Sequence, residues 1–171
     1  MEKSRSQWKT IACIVMIFVT IPILAYGQTA EDWLKKGREE TNPEIQVDYF
    51  TRAIRLNPEL ADAYTCRGTA NGDLGRYDRA VADYTKAIEL NPDNAQTYNN
   101  RGYAYEKLGS YDKAVADYTR AIRIEPHYSS AYNNRGVAYY SLGRIDEALA
   151  DFDKACKYGS SEGCQNYYKI K

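Results

Sequence analysis

Histidine is almost missing from this chain, which has a single copy, His127, among 171 residues. A metal site needs several ligands that converge on one ion, and none of the four cysteines is spaced from another as CxxC. One histidine in a loop also provides no Ser–His arrangement for nucleophilic catalysis. We therefore predict no metal, no cofactor and no intrinsic enzyme activity.

An excess of charge of one sign is lacking too, because 23 basic residues balance 23 acidic ones. The strong basic field that attracts nucleic acid is therefore absent. The glycines are dispersed along the chain and form no phosphate-binding loop. Tyrosine, in contrast, has 17 copies. With alanine and the aliphatic residues it can build a packed core, which argues against wholesale disorder.

The one long apolar run, residues 11–24, is short for a membrane span, which needs about 20 residues. Ala25 and Gly27 follow it as the small residues of a cleavage site, and three basic residues precede it: Lys3, Arg5 and Lys9. This order predicts a signal peptide over 1–27 and export from a bacterial cytoplasm to the periplasm or the medium. The alternative is an uncleaved inner-membrane anchor formed by residues 11–25. Cleavage would leave a net charge of −2 and hence little affinity for an anionic membrane surface.

A 34-residue period occupies most of the remaining chain, as units 61–94, 95–128 and 129–162. Many positions repeat through all three units. Examples from the first half are Tyr64/Tyr98/Tyr132, Arg67/Arg101/Arg135, Gly68/Gly102/Gly136 and Gly75/Gly109/Gly143. Examples from the second half are Ala80/Ala114/Ala148, Asp83/Asp117/Asp151 and Ala87/Ala121/Ala155.

Each unit is predicted to contain two helices. A left-handed glycine would end the first helix at Gly75, Gly109 and Gly143. The second helix would be N-capped by an aspartate, at Asp78, Asp112 and Asp146. Pro92 and Pro126 would close it, because proline cannot continue a helix.

This pattern resembles the tetratricopeptide repeat (TPR) over residues 61–156. Its small and aromatic signature residues are present in the first unit as Tyr64, Gly68, Ala80, Tyr84, Ala87 and Pro92. The resemblance implies an all-α fold, a right-handed solenoid of antiparallel helix pairs. Residues 28–60 match a repeat shortened by three residues near Asn42-Pro43, and 163–171 would form a C-terminal capping helix. Two departures from the family are Asn71, where later units have tyrosine, and arginine in place of the usual leucine at position 67 and its equivalents.

The arginines that replace leucine each stand 16 residues before an aspartate. In an antiparallel helix pair these residues would lie opposite one another. We predict three partly buried salt bridges, Arg67–Asp83, Arg101–Asp117 and Arg135–Asp151. The alternative is that both residues of each pair face water.

Two of the three cysteines beyond the leader are predicted to form a disulfide. Cys164 would lie on the first turn of the capping helix, near Cys156 at the end of the preceding one. The stretch also resembles the paired cysteines of secreted Sel1-like repeat proteins. The alternative is two buried thiols, and Cys66 has no evident partner.

The first helices of the units are expected to line a concave groove. Its candidate binding residues are Thr65, Thr69, Asn99, Asn100, Tyr103, Asn133, Asn134, Val137 and Tyr140. Superhelical TPR proteins use an asparagine ladder at the place held here by Asn100 and Asn134. We expect a mostly uncharged groove suited to an extended peptide backbone, with a solvated polar helix face as the alternative.

The function predicted from these features is a non-enzymatic scaffold that binds a segment of another protein or peptide. One alternative is a self-associating or membrane-anchored subunit of a cell-envelope assembly. A Sel1-like cell-wall or β-lactam-related enzyme is a further alternative, but the sequence offers no nucleophile for it. Nucleic acid is excluded as a partner, the membrane would be a partner only if the leader stays attached, and the sequence sets no oligomeric state.

Overall fold

The computed structural model describes residues 28–171, and over that range the chain is helical without a strand. The predicted leader lies outside the described residues. The helices are α1 (Ala30–Glu39), α2 (Pro43–Leu56), α3 (Ala61–Asp73), α4 (Tyr77–Leu90), α5 (Ala95–Lys107), α6 (Tyr111–Ile124), α7 (Ser129–Ser141), α8 (Ile145–Lys157) and α9 (Ser161–Ile170).

Successive helices form antiparallel pairs, and each pair packs on the next. The pairs are α1–α2, α3–α4, α5–α6 and α7–α8, while α9 packs on α8 and α7 at the C-terminal end. The predicted all-α solenoid is thus confirmed. No helix among residues 28–171 combines the length and the apolar character needed to cross a bilayer.

The turn inside each pair confirms the predicted role of its glycine. Gly75 has a φ of 70°, and Gly109 and Gly143 have 71° and 74°, all in the left-handed region. The amide of Gly75 donates to the carbonyl of Gly72 at 2.9 Å, and the amide of Arg76 donates to the carbonyl of Asn71 at 2.8 Å. These two bonds form a Schellman motif, which satisfies the carbonyls that the helix end leaves open.

The prediction that aspartates cap the second helices is wrong. Asp78, Asp112 and Asp146 each lie one residue inside the helix, which begins at Tyr77, Tyr111 or Ile145. The capping positions belong to Arg76, Ser110 and Arg144, and none of these makes a side-chain capping bond. The reason is the short turn. The residue after the glycine, such as Arg76, completes the C-terminal motif of the first helix and is at the same time the N-cap of the second. In the first turn the aspartates still complement the positive end of the helix dipole.

Close packing within each pair depends on a glycine that faces an aromatic ring. A Cβ added to Gly102 would stand 2.8 Å from Cε1 of Tyr118, and Gly68 and Gly136 meet Tyr84 and Phe152 in the same way. Alanines fill the space around each ring, and Ala80, Ala114 and Ala148 are fully buried. The interior of each pair is therefore built from small residues around one large ring, and Tyr98 and Tyr132 are further buried rings.

The shortened first repeat turns at the predicted residues. α1 ends at Glu39, and α2 begins at Pro43, whose missing amide costs nothing at the first helical position. Asn42 caps α2, its Oδ1 accepting from the amide of Glu44 at 2.9 Å. The loss of three residues falls on α1, which has 10 residues where α3 has 13, while α2 keeps the 14 residues of α4.

The C-terminal helix is tied to the solenoid by the Cys156–Cys164 disulfide. Ser160 caps α9, its Oγ accepting from the amide of Gly163 at 3.0 Å, which places Cys164 on the first turn as expected. Cys66 is the free cysteine of residues 28–171.

Candidate functional site

The repeated 16-residue spacing of arginine and aspartate produces three equivalent ion pairs. The shortest N–O distances are 2.6 Å for Arg67–Asp83, 2.8 Å for Arg101–Asp117 and 2.7 Å for Arg135–Asp151. Nε and Nη2 of each arginine donate to the carboxylate in a fork geometry, which is the strong form of this contact. These charges are committed to the scaffold.

A threonine from the preceding repeat completes each pair. Nη1 of Arg101 donates to Oγ1 of Thr85 at 3.0 Å, and Thr51 and Thr119 serve Arg67 and Arg135 in the same way. Because the threonine belongs to the neighbouring unit, the network joins one repeat to the next. Thr51, Thr85 and Thr119 are 34 residues apart, a signal present in the sequence that the predictions missed.

One opening in the concave face, the central cavity, has a volume of about 550 Å³. It collects five of the predicted groove residues: Thr69, Asn99, Asn100, Tyr103 and Asn134. Tyr103 is 45 % exposed and Lys107 Nζ lies 4.7 Å from its ring centroid. The hydroxyls of Tyr84 and Thr69 are 3.2 Å apart, and burial raises the pKa of Tyr84 to about 12, so this phenol remains protonated.

A second opening, the N-terminal cavity, has a volume of about 440 Å³. Thr65, Thr69 and Asn100 line it together with Cys66. Arg38 also lines it and donates to Asp62 at 2.7 Å, so this ion pair belongs to the wall. The two cavities share Thr69 and Asn100 and therefore adjoin along the groove.

Val137 and Tyr140 lie apart from these cavities. They line a smaller C-terminal cleft of about 140 Å³, whose other walls include Phe152 and Ile170. α9 therefore covers part of the first-helix face of the last repeat. The predicted groove is continuous along α3 and α5 and is narrowed at α7.

Asn99 and Asn133 are buried and have a structural role, since Asn99 is only 8 % exposed and Asn133 only 3 %. Oδ1 of Asn99 accepts from Nδ2 of Asn134 at 3.1 Å, and Oδ1 of Asn133 accepts from Nδ2 of Asn166 at 2.9 Å. The asparagine ladder is thus partly internal and ties α5 to α7 and α7 to α9. Asn100 differs, because its side chain makes no hydrogen bond to another residue of 28–171.

The expectation of a mostly uncharged groove needs correction. Asp73 and Glu162 line the central cavity, and neither carboxylate is in an ion pair with another described residue. Glu106, close by, is half-buried and accepts from the hydroxyl of Tyr118 at 3.2 Å. The sequence alone could not show that Asp73 and Glu162 line this cavity. The 34-residue period identifies equivalent residues, but it does not determine where α9, which carries Glu162, packs on the repeats.

Burial raises the pKa of Glu106, and repulsion from Glu162 adds to this, although the Tyr118 hydrogen bond and Lys107 oppose it. The folded-state pKa therefore lies above the unfolded value, so ionised Glu106 disfavours folding at neutral pH. That penalty disappears as the pH falls below the unfolded value, near 4.3 for glutamate.

Glu106→Gln should therefore raise the free energy of unfolding at pH 7, because glutamine keeps the acceptor for Tyr118 without the charge. We expect the gain to shrink as the pH is lowered towards 3.5, which urea denaturation at both pH values would measure. Glu59→Gln, at an exposed loop position, is the control and should change little. A gain that stays constant with pH would contradict the assignment.

Two side chains, Cys66 and His127, are of the kinds that often act in catalysis. Burial raises the pKa of Cys66, so this thiol is a poor nucleophile. His127 is exposed and packs edge-on against Tyr158, with ring centroids 4.8 Å apart. No cluster of potential metal ligands occurs within residues 28–171.

The repeat architecture is matched by two family models. One, described as TPR repeat, matches residues 72–109, and the other, described as Tetratricopeptide repeat, matches 95–128 and 129–158. Together they extend over about half of the chain. The chain belongs to the tetratricopeptide-repeat family. No sequence among the curated proteins matches it.

Solved TPR structures share its fold. A crystal structure of MamA is 31 % identical, with 78 % of this chain and 80 % of that chain covered and a TM-score of 0.74. The second TPR domain of human RPAP3, in complex with the HSP70 peptide SGPTIEEVD, is 34 % identical over 63 % of this chain and 91 % of that one, with a TM-score of 0.60. The first TPR of Spaghetti (RPAP3), bound to the HSP90 peptide SRMEEVD, is 28 % identical over 64 % and 89 %, with a TM-score of 0.62.

Proposed function

We propose that this TPR protein is a non-enzymatic scaffold that holds an extended segment of another polypeptide in its concave groove. One observation carries the proposal. Asn100 lies where the central and N-terminal cavities adjoin, and its amide is free of hydrogen bonds to the rest of residues 28–171. An amide side chain donates and accepts at once, which matches the alternating groups of an extended backbone.

Tyr103 adds a second kind of contact beside Asn100. Its ring is 45 % exposed in the central cavity, so it can cover an apolar or aromatic side chain of the bound segment. The two RPAP3 domains bind peptides and share this fold, which supports a polypeptide ligand.

The charge of the groove indicates which segments fit. The peptides in those two complexes end in EEVD and are acidic. Here Asp73, Glu106 and Glu162 would repel such a sequence, and no lysine of residues 28–171 lines the central cavity, although Lys107 lies over the Tyr103 ring beside it. The proposed ligand is therefore a neutral or basic segment.

Asn100→Ala should lower recovery of the partner in a crosslinking pull-down from the cell envelope. The loss of one or two hydrogen bonds to the ligand backbone would weaken binding by about three- to tenfold. Titration calorimetry with the recovered segment would give the same ratio, and the peptide SRMEEVD should not compete. Asn134→Ala is less informative, since Asn134 also supports Asn99.

Gln165→Ala serves as the matched control, because Gln165 is an exposed amide on α9 that lines none of the three concave-face openings. Equal recovery with Asn100→Ala, Gln165→Ala and the unchanged chain would count against binding in the groove.

We also propose that the protein acts outside the cytoplasm. The leader pattern of residues 1–27 supports export, and the Cys156–Cys164 disulfide suits an oxidising compartment. Intact mass spectrometry of protein from fractionated cells tests this. A periplasmic or secreted chain that begins at Gln28 is expected, and a full-length reduced chain in the cytoplasm would refute it.

A self-associating subunit remains the second candidate, because Tyr168 on the terminal helix is 76 % exposed. Sizing chromatography separates the candidates. A monomer at high micromolar concentration would rule out the assembly, and a defined oligomer would favour it.

A further inference from the structure

A depression on the outer side of the solenoid marks the place where the first regular repeat departs from the others. It has a volume of about 310 Å³ and lies between α2, α3 and α4. Its lining residues are Val47, Thr51, Arg67, Asn71, Arg79, Ala82 and Asp83. None of these lines a cavity of the concave face, so this depression, the outer socket, is separate from the groove.

The next repeats show what fills the equivalent space. Tyr105 and Tyr139 stand at the position of Asn71. The guanidinium carbon of Arg101 lies 5.9 Å from the ring centroid of Tyr105, and that of Arg135 lies 5.7 Å from Tyr139. Most of the surrounding residues are identical through the series, as in Val47/Val81/Val115, Thr51/Thr85/Thr119 and Asp83/Asp117/Asp151. The outer socket thus has the walls of the later repeats without their tyrosine ring.

Two features show that the socket is left incomplete by the rest of residues 28–171. Asn71 is 3 % exposed, and its Nδ2 donates to Asp83 at 3.0 Å, but its Oδ1 accepts no hydrogen bond. Buried polar atoms of this kind are rare in folded proteins. In addition, the Arg67 side chain is 22 % exposed, against 16 % and 14 % for Arg101 and Arg135.

We propose that the outer socket receives a tyrosine side chain from a partner polypeptide. The ring would lie against the Arg67 guanidinium, as Tyr105 does against Arg101, and contact Val47 and Ala82. Its hydroxyl would donate to Oδ1 of Asn71, the acceptor that lacks a donor, after a rotation of the Asn71 side chain uncovers this buried oxygen. This second binding site goes beyond the groove and does not depend on the groove's function.

The chemistry of the walls selects against other side chains. A lysine or arginine would meet Arg67 and Arg79. A carboxylate would lie beside Asp83, which already pairs with Arg67, so it would compete for that guanidinium at the cost of repulsion. A leucine would fill space but lacks both the ring face for Arg67 and the donor for Asn71. A tyrosine side chain is neutral, presents a ring face to Arg67 and carries a hydroxyl donor for Asn71, so it meets each of these requirements.

The test is an NMR titration of the purified protein with the blocked tripeptide Gly-Tyr-Gly, following the side-chain amide of Asn71 and the Nε–H of Arg67. We expect saturable shifts with millimolar affinity, as suits one side chain. Gly-Phe-Gly should bind about three- to tenfold more weakly because it lacks the donor. Gly-Leu-Gly should give no saturable shift at these two groups.

Two variants make the result specific. Asn71→Tyr fills the socket with the ring of the later repeats, so it should fold and lose the Gly-Tyr-Gly shifts. Tyr105→Asn should open a second socket and add saturable shifts at Arg101. Non-saturable shifts, or shifts that survive Asn71→Tyr, would overturn the proposal and leave a depression occupied by water alone.

A second copy of the chain could also supply a tyrosine, since Tyr168 is exposed. If the protein dimerises with increasing concentration and both Asn71→Tyr and Tyr168→Ser abolish this, the occupant is Tyr168 of a second copy. That result would overturn the proposal that a different polypeptide supplies the tyrosine. Groove binding tested with Asn100→Ala is unaffected by either result, so the two proposals fail independently.

Discussion

Asp117→Ala should lower the free energy of unfolding by about 3–5 kcal/mol, because it removes one partner of a buried ion pair and leaves the other charge without compensation. Only 16 % of the Arg101 side chain and 9 % of the Asp117 side chain are exposed. Both contacts from Arg101 to the carboxylate measure 2.8 Å. Chemical denaturation monitored by circular dichroism would give the difference directly.

An exposed pair in the same region provides the control for Asp117→Ala. Asp93 lies 3.9 Å from Arg120, and its side chain is 84 % exposed. Asp93→Ala should therefore cost about 0–0.5 kcal/mol. Similar losses in Asp93→Ala and Asp117→Ala would mean that burial does not set the strength of the Arg101–Asp117 pair.

Removing both charges distinguishes a costly orphaned charge from an intrinsically strong bond. Leucine is the usual TPR residue at the position of Arg101, so Arg101→Leu with Asp117→Ala should recover most of the stability lost in Asp117→Ala alone. The Thr85 hydroxyl would lose the hydrogen bond from Arg101 and keep the one that it donates to the carbonyl of Val81. Failure to recover would show that the network, and not the isolated charge, supplies the stability.

The sequence predicted the ion pairs because the period and the antiparallel hairpin together specify which residues face one another. Arg101 and Asp117 are each eight residues along the sequence from Gly109. The left-handed turn at Gly109 fixes the register of the two helices, so these residues face one another. The aspartate caps failed for a related reason. The same turn joins the helices by so few residues that Ser110 takes the capping position and Asp112 falls inside the helix.

The groove was harder to predict than the scaffold. Asn99 and Asn100 are neighbours in sequence, yet one is buried against Asn134 and the other faces both cavities. One residue along a helix turns the side chain by about 100°, since a turn takes 3.6 residues. The period cannot show which of two adjacent asparagines points into the interface between repeats. It also cannot show that Glu162, beyond the last regular helix pair, reaches the central cavity.

Tyr118→Ala is the second substitution with a large expected effect, about 3–5 kcal/mol, because it leaves a cavity in the middle of the solenoid. The ring of Tyr118 has no exposed surface, and it packs against Gly102 and between Ala114 and Ala138. These neighbours are small residues on rigid helices, so they cannot move far enough to fill the space.

Tyr118→Phe is the matched control for the cavity. Phenylalanine already occupies the equivalent positions at Phe50 and Phe152, so the ring fits without strain. This variant loses only the hydroxyl that donates to Glu106, and we expect a cost of about 1 kcal/mol. A loss as large as that of Tyr118→Ala would place the stability in the hydrogen bond instead of the ring.

The position of the ring along the solenoid should also determine how many helices are destabilised when the ring is removed. Each repeat touches only its neighbours, so stability is shared between adjacent units. Tyr118→Ala lies in an interior repeat, and hydrogen exchange should accelerate in α3 to α8 together. Phe50→Ala removes the equivalent ring from the terminal repeat, and exchange should accelerate mainly in α1 and α2. Equal acceleration along the whole chain in Phe50→Ala would contradict a nearest-neighbour solenoid and indicate a single cooperative unit.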